Sequence, residues 1–190
     1  PFIPLKSEPD FVRRVSDRHF GIGGDGVIFI NPSTEADFEM EMYNADGSRA
    51  EMCGNGIRCV AKYVYDKGLT DKTEISIVSC GKVKYLQLFL KDGKVESVRV
   101  NMGAPILCAR EVPVISDKEQ VIDEPILVQG KEYKMTCVSM GNPHAVIFTE
   151  DVTNLAIESI GPYFENHERF PKRTNTEFVK VLDRKNVQMR

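Results

Sequence analysis

Ile57, Val60, Ala61 and Val64 fall at i, i+3, i+4 and i+7. This is the spacing that gathers apolar side chains on one stripe of an α-helix. Gly68 directly after Lys67 is a natural stop, so the spacing predicts a helix over about residues 55–67. The flanking sequence keeps a different period. In "DFEMEMY" (37–43), Phe38, Met40 and Met42 share one face, and Glu39 and Glu41 the other, as in a half-buried strand. One well-marked helix in a strand-rich order reads as α+β.

Val12 and Val15 in "DFVRRVSDRHF" (10–20) stand at helical spacing, and "GIGGDG" (21–26) breaks the chain before a short buried strand, "VIFI" (27–30). Beyond the central helix, strands are expected at 74–78, 82–90 and 95–102, the last two joined at an Asp92-Gly93 hairpin turn. A boundary then falls near 104–111, giving domains over 1–107 and 108–190. The pattern resumes with strands near 111–115, 126–128 and 132–140, then "AVIF" after "MGNPH" (140–144). A short helix over 154–160 should end at Gly161-Pro162, ahead of a strand at 176–182. The chain opens on "PFIPLK" without Met and stops at "VQMR" inside a strand-like pattern, so it is expected to be a piece of something longer.

The formal net charge of −3 argues against a nucleic-acid partner, which usually calls for a basic patch. No apolar run approaches a membrane span, and no charged-then-apolar leader is visible. With 42 % hydrophobic residues the reading is an ordinary soluble globular protein. Five cysteines at irregular spacings fit a reducing compartment, here the cytoplasm, better than a disulfide framework.

"GIGGDG" matches the letters of a dinucleotide fingerprint, but that motif needs a strand before it and a helix after it. The order here is reversed, so the loop reads as a glycine turn feeding a strand. Cys53 and Cys59 lack zinc-hook spacing and a nearby His pair, so no metal site is read. Cys59, inside the helix, reads as a small packing residue, and Cys80, Cys108 and Cys137 as core or incidental. Cys53 differs, because it stands at the helix mouth in "EMCGNGIRC" (51–59). Unpaired N–H groups and the positive dipole end favour negative charge there, on sulfur or on a bound carboxylate. Gly54 and Gly56 would let a substrate lie against that backbone. His144 after Gly-Asn-Pro can tune a thiol or be an ordinary satisfied histidine. Asn44, Asn142 and Asn175 can be turn residues, and His167 in "ENHER" reads as solvated.

"RHFGIGGDG", "YNADGSRAEMCGNGIRC", "SMGNPH" and "RTNTEFV" occur here in that order, and the chain thereby resembles the diaminopimelate epimerase family over nearly its whole length. The resemblance implies two similar strand-rich domains, each wrapped around a central helix, the second incomplete here. It implies cofactor-independent interconversion of LL- and meso-2,6-diaminopimelate, in lysine and cell-wall precursor synthesis, by two cysteines on opposite faces of the substrate α-carbon. The first catalytic cysteine falls on Cys53 and the α-carboxylate cradle on Gly54 and Asn55. Contacts to the distal, non-reacting end fall on Asn44, Asn142 and Asn175, and the thiol-modulating histidine on His144. A homodimer acting on a small amino acid, without nucleic acid or membrane, is also implied.

The sequence departs from the family in three places. The "GLGNDF"-like first strand is not in these residues, and neither is the "ERG" segment with the second Cys-Gly-Thr-Gly helix. The position that carries Gln in some members is Gly26. The 190 residues alone are therefore expected to be inactive. Related isomerases of the same fold, a Cys53–His144 hydrolase and a non-catalytic binding module are the alternative readings.

Overall fold

The computed structural model describes residues 9–50 and 52–190; the opening "PFIPLK" lies outside them. The chain divides into two compact units between Met102 and Gly103, a little ahead of the boundary between 107 and 108 read from the sequence. Ile106 exchanges backbone hydrogen bonds with Ser139, which ties the residues just after the division to the second unit.

The first unit runs α1 (Pro9–Ser16), β1 (Gly26–Asn31), β2 (Phe38–Asn44), α2 (Gly54–Asp66), β3 (Glu74–Ser79), β4 (Lys82–Lys91) and β5 (Lys94–Val100). The strands form one sheet in the order β1-β2-β3-β4-β5. All neighbours are antiparallel except β2 and β3, and a parallel pair needs a crossover. That crossover is α2. Its predicted stripe is what it buries: Ile57, Ala61 and Val64 are fully buried, in one core with Phe38, Met40, Ile77, Leu86 and Leu88. Each of these side chains larger than Ala61 stabilises the fold by about 1.5–3 kcal/mol through removal from water.

The glycine-rich loop after α1 has a structural explanation. Ile22 and Gly23 N–H groups donate to Val15 O, and the Gly24 N–H donates to Ser16 O. The loop thus satisfies the orphan carbonyls at the end of α1 and directs these N–H groups away from any phosphate. A Cβ on Gly21 would stand 2.1 Å from Arg14 O, so only glycine fits that close approach.

The second unit holds β6 (Glu124–Val128), β7 (Lys131–Ser139), β8 (Pro143–Phe148), α3 (Ile157–Glu165), β9 (Asn175–Val181) and β10 (Val187–Met189), in the sheet order β10-β9-β8-β7-β6. It repeats the logic of the first unit. One parallel pair, β8 with β9, is joined by a helical crossover, α3, and the other pairs are antiparallel. Phe164 of α3 is fully buried and meets Phe178 and Tyr133 edge-on, with centroids 5.3 and 5.1 Å away. Beneath it, Arg169 donates to the buried Glu124 carboxylate at 2.7 Å, and the Ser116 hydroxyl donates at 3.1 Å.

Several expectations need correcting. Residues 111–115 are not a strand. The Glu111 and Val112 N–H groups both donate to Cys108 O, a turn pattern, and Val112–Pro113 is cis. Val112 and Val114 are nevertheless buried, so the alternation recorded core burial rather than a ladder. The helix expected to stop at Gly161-Pro162 runs on to Glu165 with Pro162 inside it. Burial of Phe164 outweighs the helix bond that proline removes. Cys59 and Cys80 are exposed, and Cys137 alone among the cysteines is fully buried. His167 is not simply solvated: its Nε2 lies 3.2 Å from Leu127 O, and its Nδ1 accepts from the Arg169 N–H.

Candidate functional site

Cys53 is the N-cap of α2. Its backbone is extended (φ −117°, ψ 104°), and its carbonyl accepts the first helical bond from the Ile57 N–H at 3.0 Å. Its Sγ accepts from the Gly56 N–H at 3.2 Å. A sulfur thus does what a Ser, Asp or Asn oxygen usually does at this position. Of the first four N–H groups of the helix, those of Gly56 and Ile57 are satisfied by Cys53. Among the described residues, the N–H groups of Gly54 and Asn55 take no partner. They stand at the positive end of the helix, beside the thiol, as donors for an anion.

The two glycines prove unlike. A Cβ on Gly56 would lie 3.1 Å from Ile28 Cδ1 and 3.4 Å from Cys53 Sγ. Gly56 is buried packing that makes room for the sulfur, not substrate-facing backbone as the sequence suggested. A Cβ on Gly54 would meet nothing nearer than Arg58 Nη1 and Met102 Cε, both at 3.8 Å. Among the described residues, nothing requires glycine there. Asn55 is exposed, and its side-chain oxygen accepts from Arg58 Nη2. Arg58 places a cation beside the free N–H groups. Sequence reading passed over it, although its place one helical turn after Gly54 was legible.

Asn44 ends β2. Its side-chain amide donates to Ser48 Oγ at 3.0 Å, and its backbone N–H donates to Ser48 O, so it also shapes the "NADGS" turn.

The second unit gathers the other candidates at the adjacent ends of β8 and β9. His144 and Asn175 are in register on the parallel pair. His144 Nε2 is 3.0 Å from Asn142 Oδ1, and His144 Nδ1 is 2.7 Å from Glu177 Oε1. The Asn175 side chain donates to Pro143 O at 3.0 Å. Glu177 is the group that sequence reading missed. Its carboxylate holds the His144 imidazole above its usual range, against the opposing effect of burial. Asn175 and Glu177 also line a groove of about 450 Å³ with Ile157, Gly161 and Glu165 of α3.

Three of the other thiols differ from Cys53 in exposure, while Cys108 is half-buried like it. Cys59 and Cys80 are exposed, and Cys137 is so buried that its thiol is pushed up to about 12.

The family model described as diaminopimelate epimerase matches residues 4–108 and 136–190. The chain belongs to the diaminopimelate epimerase family. It is 61 % identical over 183 residues to the diaminopimelate epimerase of Agathobacter rectalis, covering 93 % of this chain and 64 % of that protein. It is 56 % identical over 186 residues to that of Methanococcus maripaludis, covering 98 % of this chain and 67 % of the relative. The chain thus spans about two thirds of the length of these curated relatives. Among solved structures it resembles a probable proline racemase from Agrobacterium radiobacter, with TM-score 0.65, 16 % identity and coverage of 100 % of this chain and 63 % of that one. A hydroxyproline epimerase from Agrobacterium vitis gives TM-score 0.63 at 15 % identity, with the same coverage. Likeness at this identity concerns the fold, and it agrees with the α+β class of two strand-rich units. Among the described residues, no helix is long and apolar enough to cross a membrane.

Proposed function

We propose that this chain carries the Cys53 half of a cofactor-independent diaminopimelate epimerase. The observation that supports the reading most is the start of α2, where a thiol stands beside two N–H groups that take no partner among the described residues. A Cα–H next to a carboxylate is a very weak acid, and its removal places negative charge on that carboxylate. Donors aimed at the charge lower the barrier, and losing one such donor typically costs about 3 kcal/mol. Gly54 and Asn55 supply the donors, and Cys53 Sγ exchanges the α-proton. Inversion needs an acid and a base on opposite faces, so a second thiol, from residues that complete the relatives' length, works against Cys53.

Asn44, Asn142 and Asn175 hold the distal amino-acid end, because amides offer both donors and acceptors to an ammonium and a carboxylate. His144 modulates the active thiols. The setting is cytoplasmic lysine and cell-wall precursor synthesis, in a homodimer without nucleic acid or membrane.

The test incubates an enzyme of the relatives' full length that carries this chain with LL-diaminopimelate in deuterated water. Meso product with deuterium at the inverted α-carbon is expected. The 190 residues alone should form no meso product, because none of their other cysteines caps a helix beside free N–H groups. Turnover of proline in place of diaminopimelate would move the reading to a related isomerase.

A further inference from the structure

As placed, both ring nitrogens of His144 face acceptors: Nδ1 faces Glu177 Oε1 at 2.7 Å, and Nε2 faces Asn142 Oδ1 at 3.0 Å. Two acceptors require two N–H groups, so this arrangement fits an imidazolium. A neutral ring that keeps its Nδ1–H on Glu177 leaves Nε2 bare. Asn142 must then turn its amide over and donate Nδ2–H to that nitrogen. The orientation of an amide follows its hydrogen-bond partner. The proton on His144 therefore decides which end of the Asn142 amide is left for anything else: the NH₂ donor when the ring is charged, the carbonyl acceptor when it is neutral.

The surroundings leave Glu177 in control of that proton. On β7, Val138 lies opposite His144, and on β9, Asn175 lies in register with it; neither carries charge. The charged group against the ring is Glu177, and the two side chains are 22 % and 25 % exposed. Glu177 Oε2 is buried with no hydrogen-bond partner among the described residues, so the carboxylate commits its satisfied oxygen to the ring. Strand register makes the geometry specific: Glu177 stands two residues beyond Asn175 on the same face of β9.

We propose that Glu177 is a positioning residue that keeps His144 doubly protonated and thereby fixes Asn142 with its NH₂ group presented outward, as a donor for a carboxylate. The carboxylate assignment rests on the reading of Asn142 as a contact to the distal amino-acid end; the relay itself does not. Of the two groups at that end, the carboxylate takes a donor and the ammonium an acceptor. A neutral His144 would thus present the wrong end of the amide to the carboxylate and weaken binding.

Side-chain ¹⁵N NMR on an enzyme of the relatives' full length that carries this chain, from about pH 5 to about pH 9, tests the relay without needing turnover. In the unaltered chain, the Asn142 NH₂ signals should move with the same midpoint as the His144 ring nitrogens. In Glu177→Gln that shared midpoint should fall toward the ordinary imidazole value, while Glu177→Asp, which keeps the charge, should restore part of the rise. Glu177→Asp also serves as the reporter should Glu177→Gln fail to fold. Asn142 signals that stay fixed while His144 titrates would overturn the relay, as would a His144 midpoint unmoved in folded Glu177→Gln. Added LL-diaminopimelate should perturb the Asn142 amide on the acid side of the titration. A coupled titration that ignores this ligand would remove the substrate assignment and leave the relay standing.

Discussion

Gly54→Ala separates a glycine kept for a ligand from one kept for the fold. Gly54 is the first residue of α2 and is not in the left-handed region, so alanine meets no backbone strain there. Among the described residues, its methyl would touch Arg58 Nη1 and Met102 Cε at 3.8 Å, an ordinary contact. Alanine is favoured over glycine in a helix by up to about 1 kcal/mol. The folded unit should therefore keep its stability or gain up to that amount, read by urea unfolding. The same methyl would stand beside the free N–H groups of Gly54 and Asn55. If it denies a carboxylate one of those donors, the loss is about 3 kcal/mol, roughly a hundredfold in kcat/KM of a full-length enzyme. Gly56→Ala is the control. Its methyl would press on Ile28 Cδ1 at 3.1 Å and on the sulfur at 3.4 Å. Overpacking of about 1–3 kcal/mol, partly offset by helix propensity, should give a net loss of up to about 2 kcal/mol. Undiminished turnover in Gly54→Ala, or a stability loss above about 1.5 kcal/mol, would refute the claim that this position faces a ligand.

Other expectations follow from the second unit. Cys137, with its thiol pushed up to about 12, should alkylate at pH 8 on the order of a thousandfold more slowly than the exposed Cys59 and Cys80, because only the thiolate reacts; mass-mapped rates check this. Arg169→Ala should destabilise the unit by about 3–5 kcal/mol in urea unfolding, since it leaves the buried Glu124 carboxylate without its guanidinium and frees the Ile115 and Pro125 carbonyls. Burial raises Glu124, but Arg169 and Ser116 outweigh it and hold the carboxyl below its usual range. That contribution is present above the ordinary carboxylate value and is lost as pH falls through the folded one. His144 has the opposite sign. Raised by Glu177, it adds stability that is complete below about pH 6.5 and fades as pH rises through its folded value; thermal melts in that window should lose the slope in Glu177→Gln.

The helix and its cysteine were legible because a 3.6-residue period and a cap are local properties. The stripe through Ile57, Val60, Ala61 and Val64 also excludes Cys59, so its exposure could have been read from the same spacing. Hairpins were less legible. Cys80-Gly81 and Gln129-Gly130 adopt the same paired positive φ as Asp92-Gly93, the geometry of a tight hairpin turn, but only the last carries the usual turn residues. Glu177 was invisible for a different reason. Its meeting with His144 depends on the parallel register of β8 and β9, set by pairing across 33 residues and not by any spacing along the chain. Pro162 misled because a local helix-breaking rule yields to the burial of Phe164.

Cys53 is the proposed carrier of the α-proton, and Cys53→Ala removes that group alone. In an enzyme of the relatives' full length carrying this chain, solvent deuterium entering the α-carbon of LL-diaminopimelate is measured beside ligand binding. Loss of exchange by about a thousandfold or more, within the span that general acid–base catalysis contributes, with binding retained, is the predicted result. Exchange within about tenfold of the unaltered enzyme would contradict the assignment and leave the thiol at the head of α2 as a cap and nothing more.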